Sequence, residues 1–562
     1  MGDTRYGCIR NGHTRSAYTR RDVVKTLAAL PLVRLERARP ELILYNGRIA
    51  TMNPAQPDAT AVAIAEGRFL AVGANKEVLA LAARQTRRVD LGGARVFPGF
   101  NDAHAHPWAS GLEALKYVAC DKTSIEEITA ALHARAADTP PGGWVQGYLY
   151  DDGKTPRVLT RADLDAAAPD HPVLVRHRGG HTGYVNSRAL ELVNAKAGMA
   201  DPPGGRFERD AGGELTGRVA DKALDALTAK IPDELTRDDH RRAVALISKL
   251  YSSHGITSVC EADTSPDGLQ GYQDAREAGE LTYRVYCLIG VDYLDRYIGA
   301  GVHTGFGDSM VRIGGIKQYA DGSISERTAW LAEPYVGIPD YTGVELGTRE
   351  SLYQNSRKAW RAGFQLATHA NGERAIDRIL GVYEELQSEF PRRDPRFRIE
   401  HCTVVTPELV ARMRTLEVIP VPFAGYVNFH GDVLHFYGEE RTRRMFAYRS
   451  FIDAGLRPPS SSDYTASPPS PMLWLYSETT RRDPSGHVWG ENQRITVQEA
   501  LRSITLHGAY ASFEEHEKGS IEPGKLADLT VLAQDPLAVP PEQWLDIKVE
   551  RTLLGGNWVY ES

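Results

Sequence analysis

Around residue 100 the chain reads Pro98-Gly99-Phe100-Asn101-Asp102-Ala103-His104-Ala105-His106. On a β-strand, residues i and i+2 face the same side. His104 and His106 therefore present two imidazoles together, the arrangement a divalent metal takes from one strand. A lone His-x-His is weak evidence; after an apolar strand and a Pro-Gly it is a good signal. Four later segments end in residues of related chemistry. Gly314-Gly315-Ile316-Lys317-Gln318-Tyr319 places a lysine where an α/β fold buries it, and Ala367-Thr368-His369 and Arg398-Ile399-Glu400-His401 each end on a histidine. Ser460-Ser461-Ser462-Asp463 ends on an aspartate. The successive intervals from Lys317 to His369, on to His401 and on to Asp463 are 52, 32 and 62 residues, or one, one and two strand–helix repeats.

Those repeats define the elements that must hold the residues. Eight strands are predicted at Arg95–Ala103, Ile256–Ala262, Tyr283–Ile289, Val311–Tyr319, Phe364–His369, Phe397–Cys402, Val418–Val421 and Pro459–Asp463. Helical periodicity lies between most of them, as in Glu373–Leu386 and the segment capped by Thr406 and opened by Pro407. The expected fold is α/β, a (β/α)8 TIM barrel whose chemistry sits at the C-terminal strand ends. An open doubly wound sheet would carry a glycine-rich fingerprint after a strand, and none is present. The 150 residues from His106 to Ile256 far exceed a normal loop, so a subdomain is expected after strand one, walling the pocket.

Both ends of the chain read as short strands. Leu42–Tyr45 and Arg48–Met52 around Asn46-Gly47 predict one hairpin, and Ala61–Ile64 and Phe69–Val72 around Glu66-Gly67 predict another. Near the C-terminus, Ala527–Leu532, Lys548–Leu554 and a strand after Gly555-Gly556-Asn557 follow the same style. The predicted organisation is a small β-sandwich from residues 41–95 and 515–562, a barrel over 96–514, and an inserted subdomain at 110–240. Residues 1–40 form a basic tail. Within it, Arg20-Arg21-Asp22-Val23-Val24-Lys25 and a short apolar stretch resemble a twin-arginine export signal, although charged residues interrupt it and no clean cleavage site follows. A cytoplasmic enzyme with a frayed tail is the first expectation, and export to the periplasm the alternative.

Composition narrows the function. A net charge of −7 with 25% charged residues is a mildly acidic surface, which argues against nucleic acid as partner. No run approaches the ~20 apolar residues of a membrane span. Five cysteines without a Cys-x-x-Cys exclude a disulfide framework and a cysteine zinc knuckle.

Taken together, the strand-end residues, the Gly519-Ser520-Ile521-Glu522-Pro523-Gly524-Lys525-Leu526-Ala527-Asp528-Leu529 segment and the spacing resemble the metal-dependent amidohydrolase superfamily. Lys317 followed by Ala320-Asp321-Gly322-Ser323, the His369-Ala370-Asn371-Gly372-Glu373-Arg374-Ala375-Ile376-Asp377 run and the long insertion resemble its amidohydrolase 3, YtcJ-like group, which includes N-substituted formamide deformylase. The resemblance implies a binuclear zinc site in which His104, His106 and Asp463 bind one ion and His369 and His401 the other. Lys317, carboxylated by CO2, would bridge them; burial favours the free amine that this reaction needs. A salt-bridged lysine at a barrel rim and a single tightly held metal are the alternatives. Two zinc ions lower the pKa of a bridging water from 15.7 towards roughly 7, and Asp463 is expected as general base, passing the proton to the leaving nitrogen. The implied activity is hydrolysis of a C–N bond in a small amide, formamide, carbamate or cyclic amide, by a homo-oligomer, expected to be a dimer. A mononuclear-metal deaminase of a nitrogen heterocycle is the second reading, and an inactive scaffold on the same fold the third.

Other residues stand near the expected mouth. His181 in the insertion is a candidate substrate contact. Trp108, Tyr464 and Tyr426 are candidates for an aromatic pocket. His430 and His435, after strand seven, read as solvated loop histidines, and His254 as structural. The cysteines Cys120, Cys260 and Cys402 are expected to pack as small hydrophobes.

Overall fold

A computed structural model describes residues 39–562; the twin-arginine segment falls outside the described residues. The central sheet is seven parallel strands in sequential order: Phe100–Ala105, Ile256–Thr264, Arg284–Gly290, Val311–Tyr319, Gln365–Ala370, Arg398–His401 and Ile419–Val421. The eighth position is filled, but not by a regular strand. Residues 459–463 bridge the gap: Ala103 donates to the Ser460 carbonyl (3.1 Å), Asp463 to that of His104 (2.8 Å), and Ala424 to that of Ser461 (2.9 Å). Pro459 brings no N–H, the Ser460 amide turns away to the Ser503 carbonyl at 3.2 Å, and the Ser462 amide donates to the Asp102 side chain at 2.9 Å. That local competition replaces the predicted strand with an extended closure of a TIM-barrel-like α/β fold.

The predicted first strand is split. Arg95–Pro98 belongs to a sheet at the foot of the barrel, while Phe100–Ala105 enters the barrel. At Gly99 between them, a Cβ would overlap the Thr257 side chain, so the crossing needs glycine. The foot sheet combines both ends of the chain, in the order Asn557–Glu561, Val549–Leu554, Leu529–Leu532, Arg95–Pro98, Arg48–Ala50, Asp58–Ala59. A second sheet of four strands has the order Arg68–Gly73, Ala61–Ala65, Leu42–Tyr45, Arg87–Asp90. Leu44, Ile49, Val62, Phe69, Val96, Leu529, Val531 and Leu553 form one apolar cluster shared by the two sheets. The hairpin at Glu66-Gly67 forms, both residues having positive φ (50° and 70°). The hairpin expected at Asn46-Gly47 does not: Leu42–Tyr45 pairs in the four-stranded sheet and Arg48–Ala50 in the six-stranded one. An Asn-Gly turn fixes the reversal of the chain but not which edges its flanking strands join.

Between barrel strands one and two lies a third sheet, in the order Gly205–Arg209, Leu215–Asp221, Thr182–Val185, Val173–His177, Val145–Tyr150, Val118–Ala119. Helix Arg237–Ser253 returns the chain to the barrel, its start fixed by a Thr236/Asp239 capping box. Among the described residues no helix is long and apolar enough to cross a membrane.

Candidate metal centre

The strand-end residues converge at the C-terminal mouth of the barrel. His104 and His106 Nε2 lie 3.5 and 3.3 Å from Asp463 Oδ1, and the three side chains offer ligand atoms within 4.8 Å of one another. Lys317 Nζ is 3.4 Å from His104 Nε2. The His401 ring centroid is 4.6 Å from that of His104 and 4.4 Å from that of His369. His401 and Asp463 both adopt left-handed backbone (φ 68° and 53°), a cost that the surrounding hydrogen bonds must hold in place.

The electrostatics favour bare donor atoms. Burial, reinforced by the field of Lys317, pushes His104 down to about 4 despite Glu400. Burial together with neighbouring cationic groups holds His369 and His401 well below the usual imidazole value. Burial also lowers Lys317, favouring its neutral amine. Burial alone would raise Asp463, but the hydrogen bond from His106 and the fields of His104, His106 and Lys317 hold it far below the normal carboxylate range. His106 is raised, because Asp463 outweighs its desolvation.

Several positioning residues stand beside the donors in the quoted segments without being candidate ligands. Glu400 Oε2 accepts a short hydrogen bond from His104 Nδ1, fixing that ring so that Nε2 faces the centre. Arg398 grips the same carboxylate through Nε (2.6 Å) and Nη2 (3.0 Å). Asp102 accepts from the Ser462 amide at 2.9 Å and from its hydroxyl, locking the closing segment beside strand one. Asp321 accepts from the amides of Trp330, Asn371 and Gly372 (2.8–2.9 Å), fixing the turn after His369. The one available signal is charge at alternate positions of a buried strand, Arg398 and Glu400, which only a mutual pair can satisfy.

A cavity of about 710 Å³ opens over the centre. His106, Lys317, His369, His401 and Asp463 line it, with His181 and Tyr426 from the candidate substrate contacts. His181 Nδ1 is 2.8 Å from Asp221 Oδ1, and its ring centroid lies 5.0 Å from that of His369. Burial would lower His181, yet Asp221 raises it to about 9. Tyr426 packs against Phe423, which itself stacks on His401 at 4.5 Å. Trp108 and Tyr464 are not among the cavity-lining residues. The Trp108 indole turns to helix Arg237–Ser253 and donates to His240 Nδ1 at 3.1 Å; Tyr464 packs against Tyr251. His430 is no solvated loop residue: it is fully buried, its Nε2 donating to the Ala466 carbonyl at 2.8 Å. His435 is exposed as expected, and His254 caps its helix.

The donor set suits a divalent transition metal: imidazoles that burial keeps neutral at His104, His369 and His401, His106 held against the ionised Asp463, and a lysine shifted towards its neutral amine. His401 Nδ1 is buried and has no hydrogen-bond partner among the described residues, and His369 uses Nε2 on the Gly322 carbonyl (3.0 Å), leaving Nδ1 as its donor atom.

The comparisons with known proteins agree with this chemistry. The model of the amidohydrolase family, Amidohydro_3, matches residues 87–560. YtcJ of Bacillus subtilis (strain 168) is 29% identical over 535 residues, covering 92% of this chain and 99% of that protein. N-substituted formamide deformylase of Arthrobacter pascens is 29% identical over 537 residues, covering 93% and 98%. The crystal structure of an uncharacterized metal-dependent hydrolase from Pyrococcus horikoshii OT3 superposes with a TM-score of 0.73 at 26% identity, over 89% of this chain and 99% of that one. Barrel, buried donor cluster and near full-length likeness lead to one assignment: the chain belongs to the amidohydrolase family and is a hydrolase acting on carbon–nitrogen bonds.

Proposed function

We propose that the cavity binds a small amide-type substrate, an N-substituted formamide, amide, carbamate or cyclic amide, and hydrolyses its C–N bond with Asp463 as general base. The observation that carries this is the meeting of Asp463 with His104 and His106, their ligand atoms within 4.8 Å of one another, where His106 and Asp463 line the cavity. In this reading His104, His106 and Asp463 would hold one zinc ion and His369 and His401 a second, with a carboxylated Lys317 as a ligand they would share. When bound, such ions would supply Lewis acidity, lowering the pKa of a bound water from 15.7 towards roughly 7.

The chain's own groups do the rest. Asp463, ionised across the working range, takes the proton of the attacking water on Oδ2 and delivers it to the leaving nitrogen. Glu400 keeps His104 in one tautomer, with the proton on Nδ1. His181, with Nδ1 committed to Asp221, offers its Nε2–H to the substrate oxygen, where negative charge develops. Tyr426 and Phe423 give the substituent an apolar wall. The same reading divides the chain into a sandwich of 41–95 and 515–562 and a barrel of 96–514, with the 110–240 insertion lending His181 and Asp221 to the cavity.

The test is a turnover screen of the zinc-loaded full chain against N-substituted formamides, N-acyl aromatics, carbamates and lactams. Chelator-sensitive release of amine from at least one class is expected. Release of ammonia from a nitrogen heterocycle, with no amide class turned over, would overturn the reading in favour of a deaminase.

A further inference from the structure

A second cluster of metal-type donors lies outside the catalytic cavity, where the insertion meets the segment after barrel strand seven. Asp151 and Asp152 follow the inserted strand Val145–Tyr150, and His177 ends the neighbouring strand Val173–His177. These three offer ligand atoms within 4.8 Å of one another. His430 arrives from the other side, at the end of the short helix Tyr426–Phe429. All four side chains are more than nine-tenths buried.

The hydrogen bonds at the rim of the cluster leave its centre unanswered. His430 Nε2 meets the Ala466 carbonyl at 2.8 Å, so it carries the ring proton, and Nδ1 of the neutral ring is a bare lone pair. That lone pair faces Asp151 Oδ2 at 3.8 Å. His177 Nδ1 lies 3.0 Å from Glu326 Oε1, and its Nε2 faces Asp152 Oδ1 at 3.5 Å and Asp151 Oδ1 at 4.0 Å. The Gly179 amide also approaches His177 Nδ1, at 3.1 Å. His177 Nε2, His430 Nδ1 and Asp151 Oδ2 are buried without a hydrogen-bond partner among the described residues. Acceptor facing acceptor in a buried place is unfavourable unless a positive charge sits between them. Two guanidinium groups stand nearby, Arg327 Nη2 at 2.9 Å from Asp152 Oδ2 and Arg178 Nε at 3.6 Å from Asp151 Oδ2. With His177 lifted, against its burial, by Glu326 and Asp152 to about 9, three positive groups meet the carboxylates of Asp151, Asp152 and Glu326, while His430 Nδ1 and Asp151 Oδ2 still face each other without a partner.

We propose that Asp151, Asp152, His177 and His430 form a structural binding site for a divalent transition metal of the zinc class. Separations of 3.5–4.0 Å between facing donors are too long for hydrogen bonds. They contract readily to the ~3.3 Å edge of a tetrahedron with arms of about 2.0 Å. Two imidazoles and two carboxylates are a donor set zinc accepts, and Glu326 behind His177 Nδ1 is the outer carboxylate that commonly orients a ligating histidine. The site has no place in the catalytic reading. Its ion would fasten the insertion to the stretch that carries Tyr426, and so hold one wall of the cavity still.

Zinc content, measured by mass spectrometry of the full chain equilibrated with Zn2+, tests this. Asp151→Asn and His430→Gln should each bind about one zinc per chain less than their parent, both in the wild type and in a His106→Asn background. Anomalous scattering at the zinc edge from wild-type crystals should place a peak between Asp152 and His177, which needs no variant to fold. Unchanged zinc content in both variants, or no peak there in zinc-soaked crystals, would overturn the site and leave the cluster as a protonated His177 between Asp152 and Glu326 beside a neutral His430. An unchanged count on His106→Asn alone would instead count against the catalytic centre.

Discussion

The barrel mouth and the insertion cluster use the same residue types and differ in their balance. At the mouth, four histidines and a lysine surround one facing carboxylate, Asp463. Protons are expelled from three of the four: His104 falls to about 4 and His369 and His401 lie lower than the free imidazole, while Asp463 raises His106 despite its burial. In the insertion, Asp151, Asp152 and Glu326 outnumber the histidines. There burial would lower His177, but Glu326 and Asp152 lift it to about 9, while the more isolated His430 is lowered by burial to about 4. The mouth opens into a cavity of about 710 Å³, whereas the insertion cluster is closed on every side by protein. One arrangement keeps lone pairs free beside a substrate space; the other calls for positive charge and shuts it in.

The strongest way to break this contrast is at the base. Asp463→Asn should retain much of the metal yet lower kcat by about 10³-fold, within the usual range for general acid–base groups; near-normal turnover would remove Asp463 from that role. Lys317→Ala should lose metal and activity together and recover partly with added short carboxylic acids. Full zinc occupancy without the supplement would refute the bridge. Glu400→Gln should cost about 10- to 100-fold in metal affinity or activity, the range for outer partners of ligating histidines, as read by zinc titration against a chelator.

A pH profile sharpens the comparison further. His181 is protonated below about 9, so if its Nε2–H serves the substrate oxygen, kcat/KM should fall as pH rises through that value. Asp221→Asn removes the group that raises it, and the basic limb should move towards the ordinary imidazole value near 6.5. An unmoved limb would assign it to another group. The smallest effect is expected at Trp108→Phe. Because the indole bonds to His240 outside the cavity, KM should hold while thermal unfolding reports a loss of about 1 kcal/mol.

The metal-type residues at the mouth are legible in the sequence because strand periodicity and strand ends are local properties. A lysine or histidine buried at such an end is costly unless it binds something, which singles it out. What stays hidden lies in pairings across long sequence distances. Glu400 sits beside His401 in the chain, but its partner His104 is 296 residues away. The Asn46-Gly47 turn is visible, yet its two strands part into different sheets under the pull of Ala61–Ala65 and Arg95–Pro98. Trp108 follows the metal pair in sequence but not in space. As the second residue of helix Pro107–Lys116, it points back to another helix instead. His430 stands among Tyr426, Val427, Phe429, Val433 and Leu434, an apolar run that argues for burial against the solvated-loop reading, but its facing partner Asp151 lies far away in the chain.

The crossing at Gly99 has a consequence for how the molecule comes into being. The strand carrying His104 is continuous with Arg95–Pro98, whose neighbour Leu529–Leu532 leaves the ribosome more than four hundred residues later. The Gly99 amide itself donates to the Asp528 carbonyl at 3.0 Å, and the Asp528 side chain clasps Arg284 at the base of the third barrel strand through bonds of 2.7 and 2.8 Å. Arg95–Pro98 can pair with Arg48–Ala50 early, but its other edge has no partner until Leu529–Leu532 is made. The root of the strand that carries His104 and His106 is therefore complete only once residues 528–532 are in place, and truncation short of residue 529 should remove the pairing beneath both histidines.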